Sequence, residues 1–132
     1  MAAPFEASRF SAALRTRTAL GSRLLVHDRV PSTQTIATDF VKAEGGRAAH
    51  GTIVLAEEQI AGVGRRGRTW EAQAGANLLF SLVWVPQNAG NLSALLPELV
   101  RLNLAAPVAV ACACSAIGFG GGGGEGGNWG GA

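Results

Sequence analysis

The distribution of apolar and polar residues predicts a strand and then a helix in the first third of the chain. Residues 24–27, Leu-Leu-Val-His, form a short apolar run typical of a strand, and Pro31 follows it. Ser32 or Thr33 is suited to cap a helix. Four apolar residues then share one helical face: Ile36, Ala37, Phe40 and Val41. Gly45-Gly46 is expected to end this helix.

The middle of the chain reads as two buried strands joined by a long loop. Residues 52–56 are continuously apolar and rich in β-formers, which predicts a strand buried on both faces. Residues 57–76 are polar and contain four glycines, which predicts a loop. Residues 78–85 form a second apolar run that Pro86 closes.

The last third predicts two helices. Leucines recur at helical spacing, at positions 92, 95, 96, 99 and 102, and Pro97 indicates that the regular helix begins near Leu96. A further helix is predicted from Pro107 to Ile117. The order strand, helix, strand, loop, strand, helix, helix indicates an α+β or mixed α/β fold.

The composition changes abruptly at Gly118. Ten of the last fifteen residues are Gly, which supply no side chain to pack and lose much backbone freedom on ordering. We therefore predict a domain over residues 1–117 and a disordered tail over residues 118–132.

Composition excludes several function classes. The hydrophobic content of 48% is that of a globular protein, and a net charge of +2 is too small to indicate a nucleic-acid partner. No apolar run is predicted to reach the roughly 18 residues of a membrane span. Cys112 and Cys114 are too few for a disulfide scaffold, and His27 and His50 lack ligand spacing, so no metal site is predicted.

The segment with the most chemical information is residues 56–70, which combines three Arg with three Gly. Glycines allow backbone N–H groups to converge on an anion, and Arg adds charge-assisted hydrogen bonds to carboxylate or phosphate. Trp70 offers a flat face to an aromatic ring. These residues suit a small anionic ligand with an aromatic part, such as a nucleotide ester. A solvated basic turn and an RNA-binding segment are the alternatives.

Together with its surroundings, this segment resembles the biotin–protein ligases, also called holocarboxylase synthetases. The family pattern combines S-T-N, A-E-x-Q, A-G-x-G-R-x-G-R-x-W and G-x-N-L-x-x-S. The matching parts here are Ser32-Thr33-Gln34, Ala56-Glu57-Glu58-Gln59, residues 61–70, and residues 75–81. The resemblance covers roughly residues 20–117. It implies the N-terminal part of a biotin/lipoate ligase-like catalytic domain whose central sheet is incomplete.

Members of this family join biotin to ATP, with Mg²⁺, as biotinyl-5′-AMP and then transfer biotin to a lysine of a carboxylase carrier domain. The resemblance thus implies a ligase whose partner is that carrier domain, with no nucleic-acid or membrane partner. It implies a cytoplasmic location, and an Arg-rich N-terminus leaves an organelle as the alternative. The sequence indicates no oligomeric state.

The resemblance also assigns site residues. It places biotin against Ser32, Thr33, Gln59, Gly62, Gly64 and Arg65. The adenylate would meet Arg65, Arg66, Arg68 and Trp70, with Arg65 as the catalytic residue that stabilises charge near the mixed anhydride. Arg66 and Arg68 could instead face solvent.

The chain departs from the family pattern in three places. Val63 stands where the family has Arg or Lys, Gln34 replaces Asn, and nothing matches the downstream K-W-P-N-D motif. The single lysine, Lys42, is predicted to pair with Asp39 on the exposed face of the first helix, where it cannot supply the missing lysine of that motif. We therefore expect an incomplete copy with weak or no activity. Lipoate ligases and octanoyl transferases are the nearest enzyme alternative, but lack the G-R-R-G-R-x-W run.

Overall fold

A computed structural model describes residues 4–14, 18–72 and 74–118, and for Arg65 and Glu71 it describes the backbone alone. The α-helices are α1 (Ala7–Ala13), α2 (Thr33–Glu44) and α3 (Leu92–Ala116), and the strands are β1 (Arg23–Val30), β2 (Thr52–Val63), β3 (Thr69–Ala72) and β4 (Leu79–Leu82). Short 3₁₀ helices span Gly46–Ala49 and Arg65–Gly67. The chain divides into two compact units, Met1–Val85 and Pro86–Ala132.

The first unit is organised around the long strand β2. Strand β1 pairs with it in parallel, with Leu25 opposite Val54. Two short strands pair with it antiparallel: β4 along its first half, with Phe80 opposite Leu55, and β3 along its second half, with Trp70 opposite Gly62. The result is a four-stranded mixed sheet, so the predicted mixed α/β fold class is confirmed.

Helix α2 packs on one face of this sheet and forms the core. Ala37, Ala49, Val54 and Val83 are buried together, and Leu25, Ile36, Phe40, Val41 and Val85 pack against them. The four residues predicted to share a helical face therefore do so. The cap is also as predicted, because the Ser32 hydroxyl accepts a hydrogen bond from the Gln34 N–H at 3.3 Å. Gly45, with φ of 80°, ends the helix.

The predicted long loop over residues 57–76 is wrong over most of its length. Strand β2 continues to Val63, a tight turn follows, and β3 pairs back onto β2. The polar residues belong to a partly exposed hairpin, and their backbone groups are satisfied by pairing rather than by solvent. The next strand is shorter than the predicted 78–85, and Phe80 is 47% exposed, so it is not buried on both faces.

Helix α3 also corrects two predictions. It is one continuous helix of 25 residues with Pro97 and Pro107 inside it, not two helices. A proline inside a helix removes one hydrogen bond but does not always end the helix. Because α3 is continuous, it contains an 18-residue window of mean hydropathy 1.6 and is long and apolar enough to cross a membrane by length and composition. Apart from Gly118, the predicted Gly-rich tail lies outside the described residues.

Candidate functional site

The β2–β3 hairpin turns at the Arg/Gly segment that the sequence singled out. Arg66 (φ 62°, ψ 33°) and Gly67 (φ 72°) both have positive φ, the left-handed region that glycine adopts readily and most other residues avoid. The Gly64 N–H donates to the Arg68 carbonyl at 2.7 Å and closes the turn. Arg66 and Arg68 are therefore exposed at the hairpin tip. The backbone of Arg65 lies in the same turn, while its side chain is outside the described part of the chain.

Gly62 and Trp70 face each other across the hairpin. A Cβ atom added at Gly62 would lie 2.7 Å from the indole of Trp70, closer than side chains approach. Gly62 therefore allows the indole to lie directly on the β2 backbone. Gly64 is similarly constrained, since a Cβ there would meet the Arg68 carbonyl oxygen at 3.1 Å. Both glycines have a structural role within the hairpin, independent of any ligand.

Three of the predicted biotin contacts form one buried polar cluster. Ser32 and Thr33 are each 4% exposed and Gln59 is 3% exposed. Ser32 and Thr33 begin α2, and Gln59 lies on β2 opposite the last residue of β1, Val30. The Ala61 N–H donates to the Pro31 carbonyl at 2.9 Å and fixes β2 against this junction.

The hydrogen bonds within the cluster determine which groups remain for a ligand. The Thr33 N–H donates to Gln59 Oε1 at 2.6 Å, which orients the amide, since an N–H donor requires the oxygen. The Gln59 NH₂ has no partner among the described residues. Ser32 Oγ accepts from the Gln34 N–H, so its own proton remains available. The cluster therefore offers hydrogen-bond donors.

A fourth polar residue, Ser81, completes the cluster. Thr33 Oγ1 and Ser81 Oγ lie 2.9 Å apart, and either can donate to the other. Sequence reasoning quoted Ser81 in a motif but gave it no role. The sequence did contain a signal for Ser81. Side chains alternate between the two faces of an extended strand, so Ser81 shares a face with the core residue Val83, which directly follows β4.

These residues line a cavity of about 290 Å³. Its polar lining consists of Ser32, Thr33, Gln34, Gln59 and Ser81, and its apolar lining of Val63, Trp70, Leu78, Leu79 and Phe80. The structure thus brings Ser32, Thr33, Gln59 and Trp70 to one cavity, with Gly62 behind the indole. Arg66 and Arg68 do not line it. Val63 also lines the cavity and brings no positive charge to it, as expected from its replacement of the usual Arg or Lys in the motif.

Other features of the described residues bear on the site. Lys42 Nζ lies 3.6 Å from Asp39 Oδ1 and both side chains are mostly exposed, which confirms the predicted pair. Among the residues that the structure describes, no group of three His, Cys, Asp or Glu side chains could hold a metal ion.

Residues 26–112 match the Biotin/lipoate A/B protein ligase family. The bifunctional ligase/repressor BirA of Bacillus subtilis is 37% identical over 67 residues, which cover 51% of this chain and 20% of that protein. A biotin–[acetyl-CoA-carboxylase] ligase of Mycobacterium tuberculosis is 35% identical over 86 residues, 61% of this chain and 32% of that protein.

Among solved structures, a biotin acetyl coenzyme A carboxylase synthetase from Helicobacter pylori with bound biotinylated ATP is 33% identical. The alignment covers 46% of this chain and 27% of that one, with a TM-score of 0.38. The chain therefore spans between a fifth and a third of the length of the curated relatives it matches.

Proposed function

The chain belongs to the Biotin/lipoate A/B protein ligase family, and from this premise we propose that its cavity binds biotin as the acyl substrate of an ATP-dependent biotin–protein ligase. The name of the Bacillus subtilis relative describes a ligase and repressor, and that of the Mycobacterium tuberculosis relative a biotin–[acetyl-CoA-carboxylase] ligase. The proposal for this chain rests on the chemistry of the cavity lining.

The observation that carries the proposal is a buried set of hydrogen-bonding groups beside an apolar wall. Biotin has a ureido ring with one carbonyl acceptor and two N–H donors. The Gln59 NH₂ and the Ser32 hydroxyl can donate to the carbonyl, and an oxygen lone pair of the Thr33 hydroxyl can accept from an N–H. The apolar lining, which includes Leu79, suits the sulfur ring and aliphatic chain.

The same groups favour biotin over the other acyl substrates of the family. Lipoate and octanoate have no hydrogen-bonding group at the end of the acyl chain remote from the carboxylate. If either filled this cavity, the Gln59 NH₂ and the Ser32 hydroxyl would lose water without gaining a partner. Each unsatisfied buried group costs about 1–3 kcal/mol, so the polar lining selects for a polar ring.

In the proposed reaction, a biotin carboxylate oxygen attacks the α-phosphorus of Mg²⁺–ATP, pyrophosphate leaves, and biotinyl-5′-AMP forms. A lysine amine of a carboxylase carrier domain then attacks the anhydride carbonyl, and AMP leaves. Trp70 is proposed to lie beside the adenine and Arg65 to supply positive charge near the phosphate, whereas Arg66 and Arg68 are exposed at the hairpin tip. Arg65 keeps its proposed catalytic role through this charge.

Competitive binding to the purified chain tests the substrate assignment. Radiolabelled biotin should bind saturably and be displaced by unlabelled biotin, while lipoate at the same concentration should displace little. Lipoate is the matched control because it has a similar chain and carboxylate without the ureido group. Equal displacement by both acids, or no saturable biotin binding, would overturn the proposal. Retention on single-stranded RNA without biotin binding would favour the RNA-binding alternative.

A further inference from the structure

We infer that Ser81 is a positioning residue for biotin, acting through the hydroxyl of Thr33. The inference rests on the proposed function and deepens it, because it names a residue that orients the ureido-binding group. Ser81 lies on β4 opposite Val54, and its Oγ is 2.9 Å from Thr33 Oγ1 in the wall of the cavity.

A second threonine, in the middle of α2, shows the local bond that a helical threonine makes when a helical carbonyl lies one turn before it. Thr38 Oγ1 donates to the carbonyl of Gln34, four residues earlier, at 2.9 Å. This local bond is the usual choice for a threonine in a helix, and it is one reason threonine divides between two rotamers there. Thr33 is the first residue of α2 and has no helical carbonyl four residues before it, and its hydroxyl pairs with Ser81 on a strand 48 residues away.

Two hydrogen bonds hold Thr33, one at its backbone and one at its side chain. Its N–H is held by Gln59 on β2 and its hydroxyl by Ser81 on β4. One of the two hydroxyls donates to the other, so the pair keeps one free proton and free oxygen lone pairs. Ser81 thus selects the rotamer in which the Thr33 hydroxyl can meet a ureido N–H or carbonyl. Removal of Ser81 would release that rotamer and leave the Thr33–Gln59 bond intact.

A double-mutant cycle on the full chain tests this role, with biotin affinity measured by calorimetry. Ser81→Ala should weaken biotin binding by about 3- to 10-fold, the range of one net hydrogen bond. Thr33→Val should weaken it at least as much, and the double variant should bind like Thr33→Val alone. Ser81→Thr keeps the hydroxyl and should restore most of the affinity. Strictly additive losses would show that Ser81 acts independently of Thr33 and would overturn the inference.

Ser22→Ala is the matched control. The Ser22 hydroxyl also makes a hydrogen bond, to the Ala19 carbonyl at 2.8 Å, but it is exposed and outside the cavity, so biotin affinity should not change. The same cycle in urea unfolding without biotin should show coupling between Thr33 and Ser81, since the pair exists before ligand binds; no coupling would overturn the inference.

The outcomes separate this inference from the proposed function. If the unaltered chain binds no biotin, the proposed function is wrong and the role of Ser81 falls with it. If the unaltered chain and Ser81→Ala bind biotin equally, the proposed function stands and only the role of Ser81 is overturned.

Discussion

At the scale of single residues, the hydrogen bond from the Thr33 N–H fixes which group of the Gln59 amide is left unpaired. The amide oxygen is taken by the Thr33 N–H, so the NH₂ is the group left for a ligand. Sequence motifs were sufficient to select Ser32, Thr33, Gln59 and Trp70, because these lie in short, specific patterns. They were not sufficient for Ser81, whose role depends on strand pairing between residues far apart in sequence.

The orientation of Gln59 leads to a prediction about both biotin affinity and stability. Gln59→Glu keeps an oxygen for the Thr33 N–H and replaces the NH₂ donor by a second acceptor, so biotin affinity should fall at least about tenfold. Because the new carboxylate is charged at a position only 3% exposed, the free energy of unfolding should also fall at neutral pH, by about 1–3 kcal/mol or more. Gln59→Leu removes the acceptor as well and should also lose both affinity and stability. Urea unfolding and calorimetry measure the two effects, and unchanged biotin affinity in Gln59→Glu would contradict the assignment.

The contact between Gly62 and Trp70 leads to a second prediction. In Gly62→Ala the new methyl would lie 2.7 Å from the indole, so the ring or the hairpin backbone must move. A destabilisation of about 1–3 kcal/mol is expected from such overpacking. Gly46→Ala is the control, because a Cβ there meets nothing within 4 Å. Equal unfolding free energies for the two variants would show that the indole does not lie on Gly62.

At the scale of elements, local signals predicted α2 well and the hairpin poorly. The Ser32 cap, the spacing of apolar residues and Gly45 all act within α2 itself. The second half of β2 contains Glu, Gln and Gly, with no apolar alternation, and it is held in the sheet by pairing with β3. Pairing of this kind overrides weak local propensity. The prediction of two helices from Pro97 and Pro107 was also wrong, because α3 continues through both prolines.

The turn of the hairpin gives a prediction at this scale. Arg66 is the non-glycine residue with positive φ among those described, and the left-handed region costs an ordinary residue about 1 kcal/mol. Asn tolerates this left-handed conformation better than Arg does. Arg66→Asn should therefore stabilise the fold by roughly 0.5–1 kcal/mol. Arg68→Asn removes the same charge without a positive φ and should give no gain in urea unfolding; equal changes would implicate charge instead.

At the scale of the whole molecule, much apolar surface is exposed. On the sheet face opposite α2, Val26, Phe80 and Leu82 are exposed, and none of the residues of α3 is buried. Exposed apolar surface on this scale favours association. We expect light scattering of the purified chain to increase with concentration at low micromolar levels. The double variant Phe80→Ser and Leu82→Ser should reduce the scattering. Thr38→Ser, which replaces one polar residue by another on the exposed face of α2, should not. Equal scattering from the double variant would place the association elsewhere.

Catalysis by residues 1–132 alone should be weak or absent, because the cavity has few positive charges. Adenylate formation brings a carboxylate against a triphosphate, so cations must offset the repulsion. Val63 is neutral in the cavity lining, and the single lysine, Lys42, is paired with Asp39 at the helix surface. Arg65 and a magnesium ion bound to ATP would be the main remaining sources of charge. Biotin-dependent ATP–pyrophosphate exchange, measured on the monodisperse fraction beside an intact member of the family, checks this expectation. Exchange within about tenfold of that enzyme, roughly 1.4 kcal/mol in activation free energy, would mean that Arg66 and Arg68 supply the charge instead.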